Sequence, residues 1–282
     1  MSAPANSVPG QRKPFGGRWA YAVLIVALLF VLMPFLFWRA TWFGRPLTDE
    51  QLQKALADSE HPREIQHALS QIADRILRGD PTVERWYPDV VRLAANNADQ
   101  IRLTAAWVMG QDNSVPAFHE ALLKMLADPQ PMVERNAALS LVRFHDAAGR
   151  SIIVSMLRPY ALPAAEAGVL KERLKPADVI NTGTLVAHIW VAGQKREVRS
   201  AVPGTIDRWL VPDGASVNAG QPVLALAPSE DMVWEALRAL YLIGLPEDLP
   251  KVDRYARGVE GMSRRIQQQA IETARAIRAR RP

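Results

Sequence analysis

Between Trp19 and Trp38 the chain carries no charged side chain: WAYAVLIVALLFVLMPFLFW. A helix rises ~1.5 Å per residue, so a run of this length matches the ~30 Å hydrocarbon layer of a bilayer. Trp19 and Tyr21 stand at one end, and Phe37, Trp38, Trp42 and Phe43 at the other, where amphipathic rings favour a membrane interface. Arg18 and Arg39 flank the run and can reach headgroups. A cleaved signal peptide would show a shorter apolar core, ~7–15 residues, followed by small residues at a cleavage site. Here the run ends in FLFWRATWF. The expectation is a transmembrane helix over 19–38, mildly bent at Pro34, behind a flexible basic tail over 1–18 that holds Arg12 and Lys13. The excess of Lys and Arg before the span favours an amino terminus on the cytoplasmic side. That would make a single-pass protein of the cell inner membrane with its remaining chain in the periplasm.

The rest of the 282 residues is long enough for one large or two modest domains, and 49% hydrophobic against 22% charged content permits a packed core. With no cysteine, the chain has no disulfide, thiolate zinc site, iron–sulfur cluster or cysteine nucleophile. A net charge of +5 is too small to point to nucleic acid by itself.

Over 46–158 the apolar residues recur at helical spacing. Breakers fall at Asp58–Pro62, Gly79–Pro81, Gly110–Ser114, Asp128–Pro131 and Ala147–Gly149. Thr48 and Gln51 form a capping-box pattern at the start. The same apolar steps begin at Ile101 (Ala105, Ala106, Val108, Met109), at Val133 (Ala137, Ala138, Leu141, Val142) and at Met232 (Ala236, Leu237, Ala239, Leu240). The first two starts lie about 32 residues apart, the second and third about 99, so roughly 67 residues interrupt the last repeat. DPQPMVERNAALSLVRF and SEDMVWEALRALYLIGLPED resemble HEAT-type repeats, which implies a helical solenoid resumed over 229–282.

The interruption, 159–228, has strand chemistry: VINTGTLVAHIWVAG and REVRSAVPGTIDRWLVPDGASVNAGQPVLALAP alternate β-branched or aromatic residues with polar ones. Asp213-Gly214 and Ala219-Gly220 are turn signals. The order of Val202, Gly204, Ile206, Gly214, Val217, Gly220, Gln221, Pro222 and Leu224 resembles the second half of a biotinyl/lipoyl-type hammerhead, as in membrane-fusion adaptors. The resemblance implies a small all-β barrel-sandwich hybrid inserted in the last repeat, with Gly204, Gly214 and Gly220 at its structural turns. In carrier members of that family a lysine sits at a hairpin tip. That position falls near Gly193, and Lys195, two residues on, lacks the flanking pattern, so it is at most a marginal attachment site.

No catalytic constellation emerges. His61 and His67 are six apart, off the i, i+4 spacing that helix-borne metal pairs use, and no metal ligand set is assigned. Phosphate-binding loops and nucleophile elbows are missing, and the acids read as solvated helix surface. The end of the chain is an arginine-rich amphipathic helix. Arg264, Arg265, Arg275 and Arg278 are candidate contacts to anionic lipid or an acidic partner, or the solvated face of a capping helix.

The expected fold is α+β: an amino-terminal transmembrane helix and a HEAT-like solenoid carrying a lipoyl-like domain. The expected role is a membrane-anchored, non-enzymatic scaffold or assembly subunit of a transport or respiratory complex. Its partners would be proteins and the lipid bilayer, with no cofactor, nucleic acid or small-molecule substrate. Two alternatives stay open: a biotin/lipoyl carrier using Lys195, or a bilin-lyase-like HEAT protein.

Overall fold

The structure, a computed structural model, describes residues 17–40, 46–58 and 60–280, with side chains over 21–36 in the first stretch. It is 54% helical and falls into two compact units, 1–51 and 52–282. The proposed tail up to Gly16 and the expected interfacial rings Trp42 and Phe43 lie outside the described residues.

The first unit holds helix α1 (Gly17–Ala40) and the beginning of α2 (Asp49–Ala57), which runs on into the second. Thr48 and Gln51 cap α2 reciprocally: Thr48 N–H donates to Gln51 Oε1 at 3.0 Å, and Gln51 N–H to Thr48 Oγ1 at 3.3 Å. The described side chains of α1, such as Phe30 and Met33, are exposed. The expected transmembrane helix is corrected here. Among the described residues no helix is long and apolar enough to cross a membrane. The single-pass inner-membrane location falls with it.

The second unit begins with helices that stack in pairs. They are α3 (Pro62–Leu77), a 3₁₀ turn over Pro81–Trp86 leading into α4 (Tyr87–Leu93), α5 (Asp99–Met109), α6 (Pro116–Met125), α7 (Pro131–Arg143) and α8 (Arg150–Ser155). After the strands come α9 (Glu230–Ile243), α10 (Leu249–Ala256) and α11 (Arg264–Ala279). Helices α3, α5, α7, α9 and α11 lie side by side in that order, backed by α4, α6, α8 and α10. Small residues let them approach: a Cβ on Gly110 would sit 2.5 Å from Ser140 Oγ, and that hydroxyl donates to Ala106 O at 2.9 Å. Proline opens α3, α6 and α7, where its missing N–H costs no helical bond. The α4–α5 junction has no Pro or Gly and escapes a reading based on those breakers. There Asn96 turns the chain, its Oδ1 accepting from Ala98 N–H at 2.9 Å.

The strands are β1 (Tyr160–Pro163), β2 (Gly168–Glu172), β3 (Val179–Ile180), β4 (Leu185–Val191), β5 (Gln194–Arg199), β6 (Gly204–Trp209), β7 (Ser216–Val217) and β8 (Pro222–Pro228). They form two four-stranded antiparallel sheets, ordered β1-β8-β6-β3 and β5-β4-β2-β7. Register places Leu162 opposite Leu224, Ile206 opposite Leu226 and Leu170 opposite Ile189, so apolar residues alternate inward. The expected barrel-sandwich hybrid over 159–228 is corrected: the sheets do not join into a closed barrel. Each ends in a two-residue strand, β3 or β7, too short to carry a ladder across to the other sheet. The fold is a mixed α+β arrangement of helices and two small sheets.

The β segment shares its core with the helices. One buried cluster runs from Ala138 and Val142 of α7, through Met156, Leu162, Ile180 and Val202, to Met232 and Val233 of α9. Buried Tyr255 of α10 ties the entry to β1, its hydroxyl donating to Leu157 O at 3.0 Å.

Candidate functional site

Alternate turns of α5, α7 and α9 bring one face of each helix to a common surface. Trp107 comes from α5 and Gln111 from the turn that follows it, Asn136, Leu139 and Arg143 from α7, and Glu235, Arg238 and Leu242 from α9. These spacings of three and four residues are the helical period, so each set projects to one side. Together they line a groove of 600 Å³. A second groove of 650 Å³ adjoins it, sharing Asn136, Leu139 and Glu235, and extends to Ile180, Gly204 and Thr205 of the sheet β1-β8-β6-β3. The two make one trough from the helical layer to the strands.

The lining mixes exposed apolar side chains with fixed polar groups. Trp107 is 41% exposed and Leu242 57%, large values for apolar side chains. Arg143 Nη1 donates to Gln111 Oε1 at 2.9 Å, Gln111 Nε2 to Trp107 O at 2.8 Å, and Asn113 Nδ2 to Arg143 O at 2.7 Å. Glu235 and Arg238 pair at 3.7 Å. At the foot lies Arg135, 5% exposed, its Nη1 3.1 Å from Met232 Sδ and its guanidinium 5.5 Å from the Tyr160 ring centre. Burial pulls the Arg135 guanidinium below its ordinary value and pushes the neighbouring Glu134 carboxyl up.

The links between helices hold a second pattern. Aspartates at the turns each accept the backbone N–H two residues on: Asp80 from Thr82, Asp112 from Ser114, Asp128 from Gln130 and Asp146 from Ala148. Asp112, Asp128 and Asp146 also take a side chain from an earlier helix or link. Tyr87 donates to Asp112 at 2.7 Å, Arg102 grips Asp128 at 2.7 and 2.9 Å, and His119 Nε2 lies 2.7 Å from Asp146. Burial pushes the Asp128 carboxyl up, but Arg102 and the Gln130 N–H outweigh it and leave it below the usual range. Burial and Asp112 push the Tyr87 hydroxyl up. These carboxylates are structural clamps, and reading them as solvated surface missed them. The visible signal was Asp recurring a few residues ahead of a helix-opening proline, as in DNSVP and DPQP.

The residues singled out in the sequence are dispersed. Lys195 lies on β5 opposite Trp190, two residues past the hairpin tip Ala192–Gly193. Gly214 and Gly220 take φ of +80° and +78° at turns. Gly204 is instead the first residue of β6, where a Cβ would stand 2.4 Å from Ala227 O. On α11, Arg265 stacks over Trp234 at 3.7 Å, Arg275 pairs with Glu272 at 2.9 Å and Arg278 with Asp253 at 2.7 Å. Arg264 opens the helix, and Ile266, Ala270, Ala274 and Ile277 are buried in the core. Near α3, donor atoms of Asp58, His61 and Glu64 lie within 4.8 Å of one another, a geometry that could hold a metal ion. His67, by contrast, is buried.

No family model matches the chain, and no curated protein matches it. Among solved structures, a single-chain, multi-domain long-chain acyl-CoA carboxylase is similar at 17% identity and a TM-score of 0.24, over 35% of this chain and 11% of the carboxylase. A likeness that weak carries no argument. The resemblances to HEAT-type repeats over 46–158 and 229–282, and to a lipoyl-like domain over 159–228, are therefore corrected: no family comparison supports them. Alanine-rich helices at period 3.6 and Gly-punctuated strands recur in many unrelated folds, which is why short motifs carried the resemblance too far.

Proposed function

We propose that this chain is a non-enzymatic binding scaffold, an accessory or assembly subunit that holds a segment of a partner protein in the trough across α5, α7 and α9. The observation that carries this reading is the continuity of the two grooves through Asn136, Leu139 and Glu235, with exposed Trp107 and Leu242 on the walls. A large rigid aromatic beside ordered polar groups is the usual composition of a binding hot spot. Side-by-side helices fix the wall spacing, so the surface is set before a partner arrives. The strands at the far end add a second wall and reach the partner from another element.

The test is a photo-crosslinking amino acid placed at Leu139 in the full chain, with one at exposed Arg208 as control. A defined partner protein joined from Leu139 and not from Arg208 is expected, and it should vanish on Trp107→Ala with Leu242→Ser. Equal labelling from both positions would remove the trough as the binding surface.

A further inference from the structure

Arg135 is nearly inaccessible and, among the described residues, makes no ion pair. A guanidinium offers five N–H donors in a planar fork, and a buried charge is ordinarily paired. Here one donor meets the sulfur of Met232, a weak acceptor, and the Tyr160 ring lies 5.5 Å off. Trp86 Nε1 is the buried side-chain nitrogen or oxygen without a partner among the described residues. The other nitrogens of Arg135 are thus not sealed in, and Arg135 is one of the residues that line the groove. Three acids line the same groove: Glu230 accepts from Ser263, Glu235 pairs with Arg238, and Asp231 is exposed in the first turn of α9.

We propose that Arg135 is the anchor of a carboxylate-binding site at the foot of the trough, taking one carboxylate of the partner segment in the bidentate geometry its fork matches. This rests on the trough being a binding surface. A carboxylate would complete the donors of a cation that Met or Leu could otherwise replace in the core. The carboxylate could come from an acidic side chain or from a chain terminus, and both present the same pair of oxygens.

The experiment follows the Met232 methyl and the Gly204 and Thr205 backbone amide resonances of the full chain by NMR, nuclei that line the groove and survive substitution of Arg135. The probes are N-acetylalanine, which carries a terminal carboxylate, and N-acetylaspartate methylamide, which carries a side-chain one. N-acetylalaninamide and sodium chloride at matched ionic strength are the controls. A saturable shift with a midpoint on the order of millimolar, from either carboxylate and neither control, is expected. Whichever probe binds more tightly identifies the source. Arg135→Met should abolish the response, and Arg135→Lys, which keeps the charge but loses the fork, should weaken it at least tenfold. If Arg135→Met does not fold, Arg135→Lys decides. No saturable shift, an equal response to chloride, a response surviving Arg135→Met, or one weakened less than tenfold in Arg135→Lys would overturn the site. Because the probes are small, their failure to bind would leave the trough itself to be decided separately, by the crosslink from Leu139.

Discussion

Asp128 shows how a single side chain can tie two helices and a turn. One oxygen holds the backbone of its own turn, and both face the guanidinium of Arg102, with side-chain exposures of 13% for Arg102 and 7% for Asp128. Removing one partner of a pair this buried strands the other, so Asp128→Ala should cost about 3 kcal/mol, measured by urea unfolding. Asp112, Asp128 and Asp146 are all held below the usual carboxylate value. The folded state therefore binds these protons less readily than the unfolded chain does. Their contribution is fully present above the unfolded value, ~3.9, and is lost as pH falls through the lower folded values. Acid unfolding should set in below about pH 4, later in Asp128→Asn than the stability loss alone would give. His61 behaves in the opposite sense. The hydrogen bond that His61 donates to the Asp58 carboxylate, then the charge of Asp58, raises the imidazole. The protonated form is favoured, and the contribution present below ~6.5 fades as pH rises through the folded value. An NMR titration should find His61 above an ordinary histidine, and lower in Asp58→Asn than in the parent chain.

Among the elements, the β4–β5 hairpin exposes a local cost. Its two-residue tip needs positive φ at both positions, +47° at Ala192 and +80° at Gly193. Glycine meets that need freely and alanine does not. Ala192→Gly should raise stability by about 0.5–1 kcal/mol in thermal unfolding, with Lys195 and Trp190 unchanged in register. Helix α11 teaches something different. Its alternating Arg and Ile pattern reads equally as a membrane-surface helix and as a capping helix. Packing decides, because Ile266, Ala270 and Ile277 face the core and Thr273 donates to Leu237 O of α9 at 2.9 Å. Three of the four candidate arginines are then occupied within the fold, so Arg275→Gln with Arg278→Gln should leave trough crosslinking from Leu139 unchanged.

For the whole second unit, the decisive property is the shared core of strands and helices. An inserted segment with its own core would unfold on its own; one whose apolar face is continued by Met232 and Val142 is bound to the rest. Fluorescence from Trp209 in the strands should therefore report the same urea midpoint as circular dichroism of the helices. Two separated transitions would show that the sheets are independent.

Much of the helical layout was legible because helices leave a period and their ends leave chemistry. The capping pair Thr48–Gln51, the prolines at helix starts and the change to alternating residues after Pro159 are local signals, and the structure forms a helix or strand where each stands. Hydrophobicity alone misread the stretch 19–38, and turn glycines alone implied a barrel that two-residue edge strands do not close. The trough and the buried Arg135 were invisible because they depend on contacts between positions far apart in the chain. Arg135 meets Met232, Leu139 shares a wall with Glu235, and Arg150 reaches Asp248. Neighbouring residues along a chain set backbone preference, whereas burial and charge pairing are set by what arrives from elsewhere, and only the packed fold decides that.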